Sequence, residues 1–256
     1  MIKSKLLLLP ILFAVSTTIA NAQVKKITLP GGNKYVLSFK DEFKSKKLNT
    51  KVWHFRTDSK HWSTQLPNNV SISDGMLRLN VKKENAGGKE YTGAGIISAK
   101  RYEFGYYESS FKVPAGAGWH NSFWLMGHDG SGGTGPSKSE LELDICENDS
   151  KNKTSYSVIV HKWQGQHTTH GGKSVKTPDL SAGFHKWGCE YTEKEVKYYF
   201  DGELVQTIDV SKLPHGGLNI WLTTIASHHG PTTKVDDSFL PNVFLIDYVR
   251  YYKPVK

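Results

Sequence analysis

The sequence predicts an all-β protein built as an antiparallel β-sandwich, and three observations carry this. Helical periodicity is almost absent from the 256 residues. Short alternating or wholly apolar runs recur instead, the pattern of half-buried and buried strands. The Asp-Gly pairs at 74–75 and 201–202 lie between such runs, where tight hairpins favour them.

In chain order the runs are Tyr35–Phe39, Val70–Ile72, Met76–Val81, Ile96–Ala99, Tyr106–Val113 and Ser122–Met126. They continue with Leu141–Cys146, Tyr156–Val160, Lys197–Phe200, Leu204–Ile208, Leu218–Ala226 and Phe244–Tyr252. Many short strands joined by polar turns indicate a sandwich rather than alternating βα units. No internal repeat or linker divides the chain.

Residues 140–147, Glu-Leu-Glu-Leu-Asp-Ile-Cys-Glu, hold the strongest functional signal. Glu140, Glu142 and Asp144 alternate with Leu141, Leu143 and Ile145, so three carboxylates share one strand face and three aliphatics the other. Glu147 breaks the parity, because a regular strand would turn it to the apolar face. A β-bulge near Ile145–Cys146 absorbs one residue and returns Glu147 to the acidic face. Glu142 and Glu147 then stand roughly 13 Å apart at the backbone, less any bulge shortening. Side chains leaning together bring the carboxyls to about 5–6 Å, close to the separation a retaining glycosidase needs. Aligned like charges are unfavourable, so one group is expected to keep its proton. A merely solvated acidic strand face is the competing explanation.

The first 22 residues read as a secretory signal: Lys3 and Lys5, an apolar stretch from Leu6 to Val15, then Ala20-Asn21-Ala22 before the cleavage point. Pro10 and the shortness of the apolar run argue against a membrane span. Residues 23–256 are expected to form one domain, exported and monomeric. Losing Lys3 and Lys5 leaves 31 basic against 24 acidic side chains, a net +7 with neutral histidines. There is no zinc-finger spacing, basic helix or dense Lys/Arg run, so nucleic acid is not an expected partner. Cys146 and Cys189 either pair, as an exported chain permits, or remain two small buried thiols.

The pattern Glu142-x-Asp144-x-x-Glu147 resembles the catalytic signature of glycoside hydrolase family 16 in its bulged form. Other segments match in order: Phe39-Lys40-Asp41-Glu42-Phe43 with Trp53, Asp74-Gly75-x-Leu77, Phe104-Gly105-Tyr106-Tyr107-Glu108, Ser122-Phe123-Trp124-Leu125-Met126-Gly127, Trp187-Gly188-x-Glu190-Tyr191 and Ile246-Asp247-Tyr248. The likeness spans about residues 35–253. It implies a concanavalin A-like jelly roll whose concave sheet forms a sugar cleft. It also implies a retaining endo-hydrolase of β-linked polysaccharide, with Glu142 as nucleophile, Glu147 as acid/base and Asp144 between them. The same residues would serve a transglycosylase, and the fold alone would serve a lectin-like binding domain. Candidate glycans are mixed-linkage β-glucan, laminarin and sulfated galactans.

The resemblance places Trp119, Trp124 and His161 in the cleft. Trp62 and Trp163 are further candidates, because aromatic rings stack on apolar sugar faces. Trp53 and Trp187 are expected in the core, and the face of Trp221 is open. His120-Asn121 departs from the family's usual Pro-Ala, which bears on sugar specificity. His120, His161, Lys162 and Lys173 lie near segments expected to border the cleft and favour an anionic glycan. His228-His229 is a further candidate for the cleft edge.

No cofactor is expected. His161, His167 and His170 sit in a segment read as loop, with no adjacent carboxylate to support a metal. Asp247 resembles a position near a structural calcium ion in some family members, but no clear ligand set accompanies it. The glycine-rich run at 130–139 fails as a phosphate loop, since a strand follows where a helix is required, and reads as a cleft-rim loop. Mass spectrometry of the exported protein is expected to show a chain beginning at Gln23; retention of residues 1–22 would contradict the signal.

Overall fold

A computed structural model describes residues 25–127, 141–227 and 234–255. The signal segment, Glu140, the run at 130–139 and His228-His229 lie outside the described residues. The strands are β1 (Lys26–Thr28), β2 (Lys34–Asp41), β3 (Trp53–Phe55), β4 (Ser59–Lys60), β5 (Ser63–Gln65), β6 (Val70–Ser73), β7 (Met76–Ala86), β8 (Lys89–Ser98) and β9 (Gly105–Lys112). Then come β10 (Trp119–Met126), β11 (Leu141–Asp149), β12 (Ser155–Lys162), β13 (Thr168–Lys176), β14 (His185–Tyr191), β15 (Glu195–Phe200), β16 (Glu203–Asp209), β17 (Asn219–Ala226) and β18 (Asn242–Pro254).

Two antiparallel layers result. One runs β13-β12-β11-β10-β17-β8-β3. In the other, β16-β15-β14-β9 leads to the long β18, which pairs with β7 along its first half and β2 along its second. The β7–β8 hairpin links the layers, and the sheet curves into a near-closed jelly roll. All twelve expected runs overlap strands. Six further strands, β1, β3, β4, β5, β13 and β14, correspond to none of these runs. Most of these are too short to show alternation, and β13 is an edge strand exposed along most of its length.

The core lies between the layers. Phe111 of β9 stacks on Trp187 of β14 at 3.7 Å and 4°, and meets Phe123 of β10 edge-on. Trp53 is fully buried and its indole N–H donates to Asp41 Oδ2 at 2.8 Å. Cys146 and Cys189 are unpaired buried thiols, which settles the choice left by the sequence. Burial pushes both thiols well above their ordinary range.

Two expectations about side chains fail. Trp119 is 1 % exposed and packs with Val81, Ala226 and Val235. It stands five residues from Trp124, and β10 pairs with β17 without interruption from Trp119↔Ala226 to Met126↔Asn219. Alternation therefore sends the two rings to opposite faces. Gly116 and Gly118, both at positive φ, let the chain pass close to Phe239 and Val235 in front of Trp119. Lys162 and Lys173 are also turned away from the acidic face. They pair with Leu141 and Val158, both buried in the core, and Lys173 Nζ donates to Val205 O of β16 at 2.7 Å.

Asp247 faces a cation supplied by the chain. Lys44 Nζ lies 3.8 Å from Asp247 Oδ1 and donates to Gly75 O at 3.0 Å. Glu42 nearby is held bidentately by Arg250 at 3.0 Å. Among the described residues, one half-exposed carboxylate and a carbonyl already bound by an ammonium do not suit calcium, which takes six to eight oxygens.

Trp119→Ala is expected to destabilise the fold by about 3–5 kcal/mol, as for a large buried aromatic. Denaturant unfolding checks this, and a variant of wild-type stability with weakened substrate binding would return Trp119 to the cleft.

Candidate active site

The bulge is present and lies where the parity break put it. Against β12, Asp144 pairs with Ile159 and Glu147 with Ser157, so three steps on β11 match two on β12. Against β10, Phe123 pairs with Cys146 and Trp124 with Asp144, leaving Ile145 as the extra residue. Glu142, Asp144 and Glu147 consequently share one face of β11. Ser122 and Trp124 of β10 lie beside them on one side, His161 and Ser157 of β12 on the other.

Desolvation dominates the electrostatics. Asp144 is 1 % exposed. Its carboxyl is pushed well above the ordinary range, first by burial and then by the charges of Glu142 and Glu147. Glu142 is also raised by burial. The Trp163 indole N–H, which donates to Glu142 Oε2 at 2.5 Å, works against this, and the Glu147 charge adds to it. Asp144 and Glu142 share a side-chain hydrogen bond, which adds to the rise at Asp144 and opposes it at Glu142. His120 Nε2 lies 3.3 Å from Glu147 Oε1. His161 Nε2 lies 3.4 Å from Asp144 Oδ2, and burial lowers the affinity of this imidazole for a proton.

The remaining expected contacts divide. Trp124 lies on the acidic face, as the motif implied. Trp163 is 41 % exposed and sits over Glu142. Trp62 is half-buried at the end of β17, where its backbone N–H donates to Ala226 O at 3.1 Å. It lines a hollow of about 420 Å³ with His61, Lys89, Tyr91 and Lys234, none of the three carboxylates among the lining. His161 and His170 are on paired strands, not in a loop, and His161 lies directly opposite Glu142.

Three neighbours escaped the sequence reading. Trp221 packs against Trp124 with ring centroids 4.4 Å apart. Thr223 exchanges a 2.6 Å hydrogen bond with Ser122. Arg56 stands over Trp221 at 5.8 Å and is fixed by Asp58 through two hydrogen bonds of 2.6 and 2.8 Å. The alternation Asn219, Trp221, Thr223 was a usable signal for the face of β17. Nothing local marks Arg56, which reaches the site because Gly95 of β8 leaves room between it and Thr223.

The family comparison completes the identification. A model described as "Beta-porphyranase A-D, GH16 domain" matches residues 34–254. The chain belongs to glycoside hydrolase family 16. A β-glucanase of Rhodothermus marinus is 24 % identical over 204 residues, covering 73 % of this chain and 71 % of the relative. β-Porphyranase E of Zobellia galactanivorans is 28 % identical over 202 residues, 68 % of each chain. The endo-β-1,3-glucanase structure from Pyrococcus furiosus superposes with a TM-score of 0.77 at 21 % identity, over 90 % of this chain and 98 % of that one, a likeness of fold. This GH16 protein is thus an endo-glycanase of the β-glucan or porphyran-type galactan class.

Asp144 gives a pH signature. Its folded-state pKa exceeds the unfolded value of about 3.9. Its contribution is therefore complete below about pH 4 and is lost as pH rises toward the folded value, by at most about 1.4 kcal/mol per pH unit. Asp144→Asn keeps a donor to Glu142 without the titration. It is expected to melt above the wild type at pH 8, by a margin that shrinks toward pH 4, and to be slower with a shifted pH–rate profile. A margin constant across pH would show that Asp144 does not hold this proton.

Proposed function

We propose that this GH16 chain is an exported, retaining endo-hydrolase of a porphyran-type sulfated galactan, with Glu142 as nucleophile and Glu147 as acid/base. The observation that carries the chemistry is the bulge, which sets both glutamates on one face with Asp144 between them. Glu142 attacks the anomeric carbon to form a glycosyl-enzyme ester while Glu147 protonates the departing oxygen. Glu147 then takes a proton from water, which hydrolyses the ester. Two carboxylates need opposite protonation at the start, and Asp144 helps to arrange this. By keeping its own proton and donating to Glu142, it leaves the negative charge on the nucleophile. Trp124, half-buried and backed by the buried Trp221, offers an aromatic ring beside the carboxylates.

The substrate reading rests on the porphyranase family match and on basic side chains near the carboxylates. His120 stands beside Glu147, and the charge of Lys60 acts on both Glu142 and Asp144. A sulfate ester entering such a site needs a paired cation once water is displaced. The second reading is a neutral β-glucan, favoured by the likeness to the Rhodothermus enzyme.

Glu142→Gln and Glu147→Gln are each expected to lower hydrolysis by about 10²-fold to 10⁴-fold or more with the fold intact by circular dichroism. Azide should restore turnover to Glu142→Gly. Proton NMR of the first product should show the retained β-anomer, and product sizing separates hydrolysis from transglycosylation. A panel of porphyran, agarose, laminarin and lichenan at low and high salt tests the glycan. Preference for laminarin or lichenan with a salt-insensitive KM would overturn the sulfated-galactan reading.

A further inference from the structure

The β12–β13 turn folds an aromatic–histidine assembly over Glu142. Trp163 follows the last residue of β12 and His167 precedes the first of β13. Between them lies Gln164-Gly165-Gln166, with Gly165 at φ 72°, a backbone that a side chain would strain. The turn brings the two rings face to face, with centroids 3.9 Å apart and planes within 16°. His167 also reaches His161, Nε2 to Nδ1, at 3.0 Å. The links close a circuit. Trp163 donates to Glu142, Glu142 shares a hydrogen bond with Asp144, Asp144 Oδ2 stands 3.4 Å from His161 Nε2, and His161 joins His167, which stacks on Trp163.

The geometry gives His167 two holds on this turn. Its ring packs the Trp163 indole over Glu142 Oε2. Its Nε2 shares a hydrogen bond with His161 Nδ1, which ties the turn to the residue of β12 directly opposite Glu142.

We propose that His167 is a positioning residue for Glu142, acting through Trp163 and His161 without touching the reacting atoms. This rests on Glu142 being the nucleophile. It also assigns Trp163 a task beyond sugar stacking, because its indole N–H is committed to the carboxylate. A carboxylate held in one orientation reacts faster than one free to rotate, and small misplacements of reacting groups reduce turnover steeply. Ground-state sugar binding by the rest of the cleft does not depend on that orientation.

The experiment compares wild type, His167→Ala, His167→Phe, Trp163→Phe, the His167→Ala/Trp163→Phe double variant and Glu142→Gln. Reducing-end release is followed on porphyran and on laminarin, with kcat and KM separated and thermal midpoints recorded. His167 is exposed, so the midpoints should stay near wild type. His167→Ala should lower kcat about tenfold with KM within about twofold. His167→Phe, which keeps the stack and loses the hydrogen bond to His161, should fall between wild type and His167→Ala. The double variant should be no worse than Trp163→Phe alone, since both changes interrupt one path. A His167→Ala kcat within twofold of wild type, additive effects in the double variant, or a loss expressed in KM alone would overturn the assignment. Glu142→Gln separates the two levels. If it stays active, the nucleophile assignment and this inference both fall. If it is inactive while the His167 variants match wild type, only the role of His167 falls.

Discussion

One extra residue in β11 underlies the site. Without the bulge at Ile145, Glu147 would enter the core and the acidic face would end at Asp144. With it, the strand buries Leu141, Leu143 and Cys146 on one side and presents Glu142, Asp144 and Glu147 on the other. A bulge interrupts the ladder, so it persists only where both neighbouring strands over-determine the register. Here β10 and β12 resume regular pairing on both sides of it.

The alignment has an electrostatic cost that the surrounding residues reduce. Three carboxylates on one buried face cannot all ionise. Asp144, the most buried, is pushed well toward its protonated form, and the hydrogen bond it shares with Glu142 opposes the rise there. The hydrogen-bond donor from Trp163 and the positive charge of Lys60 act in the same direction on Glu142. Desolvation thereby becomes a means of dividing roles between carboxyl groups of similar intrinsic acidity.

The opposite layer supplies rigidity. Its own buried carboxylates are tied into hydrogen bonds with tyrosines: Glu190 accepts from Tyr35 at 2.6 Å and Tyr199 at 3.0 Å, and Glu108 from Tyr248 at 3.0 Å. Tyr198 of β15 reaches across to Ile159 O of β12 at 2.8 Å, so the strand carrying His161 is anchored to the second layer. A site whose donors must hold a carboxylate within a fraction of an ångström benefits from strands fixed on both faces.

The sequence by itself determined the fold class, most of the strands, the acidic face and the need for a bulge, because alternation is a local property carried within one strand. Trp119 was legible by the same rule, since an odd spacing from Trp124 in an unbulged strand means the opposite face. Only the tertiary structure decided that Trp221 and Arg56 adjoin the carboxylates, that Lys162 and Lys173 turn away, and that Lys44 stands at Asp247. It also decided that His167 closes over Trp163 and that Asp144 is the carboxyl most removed from water. These depend on the register between strands remote in sequence and on how completely neighbouring side chains exclude water, and neither is written in the alternation of a single strand.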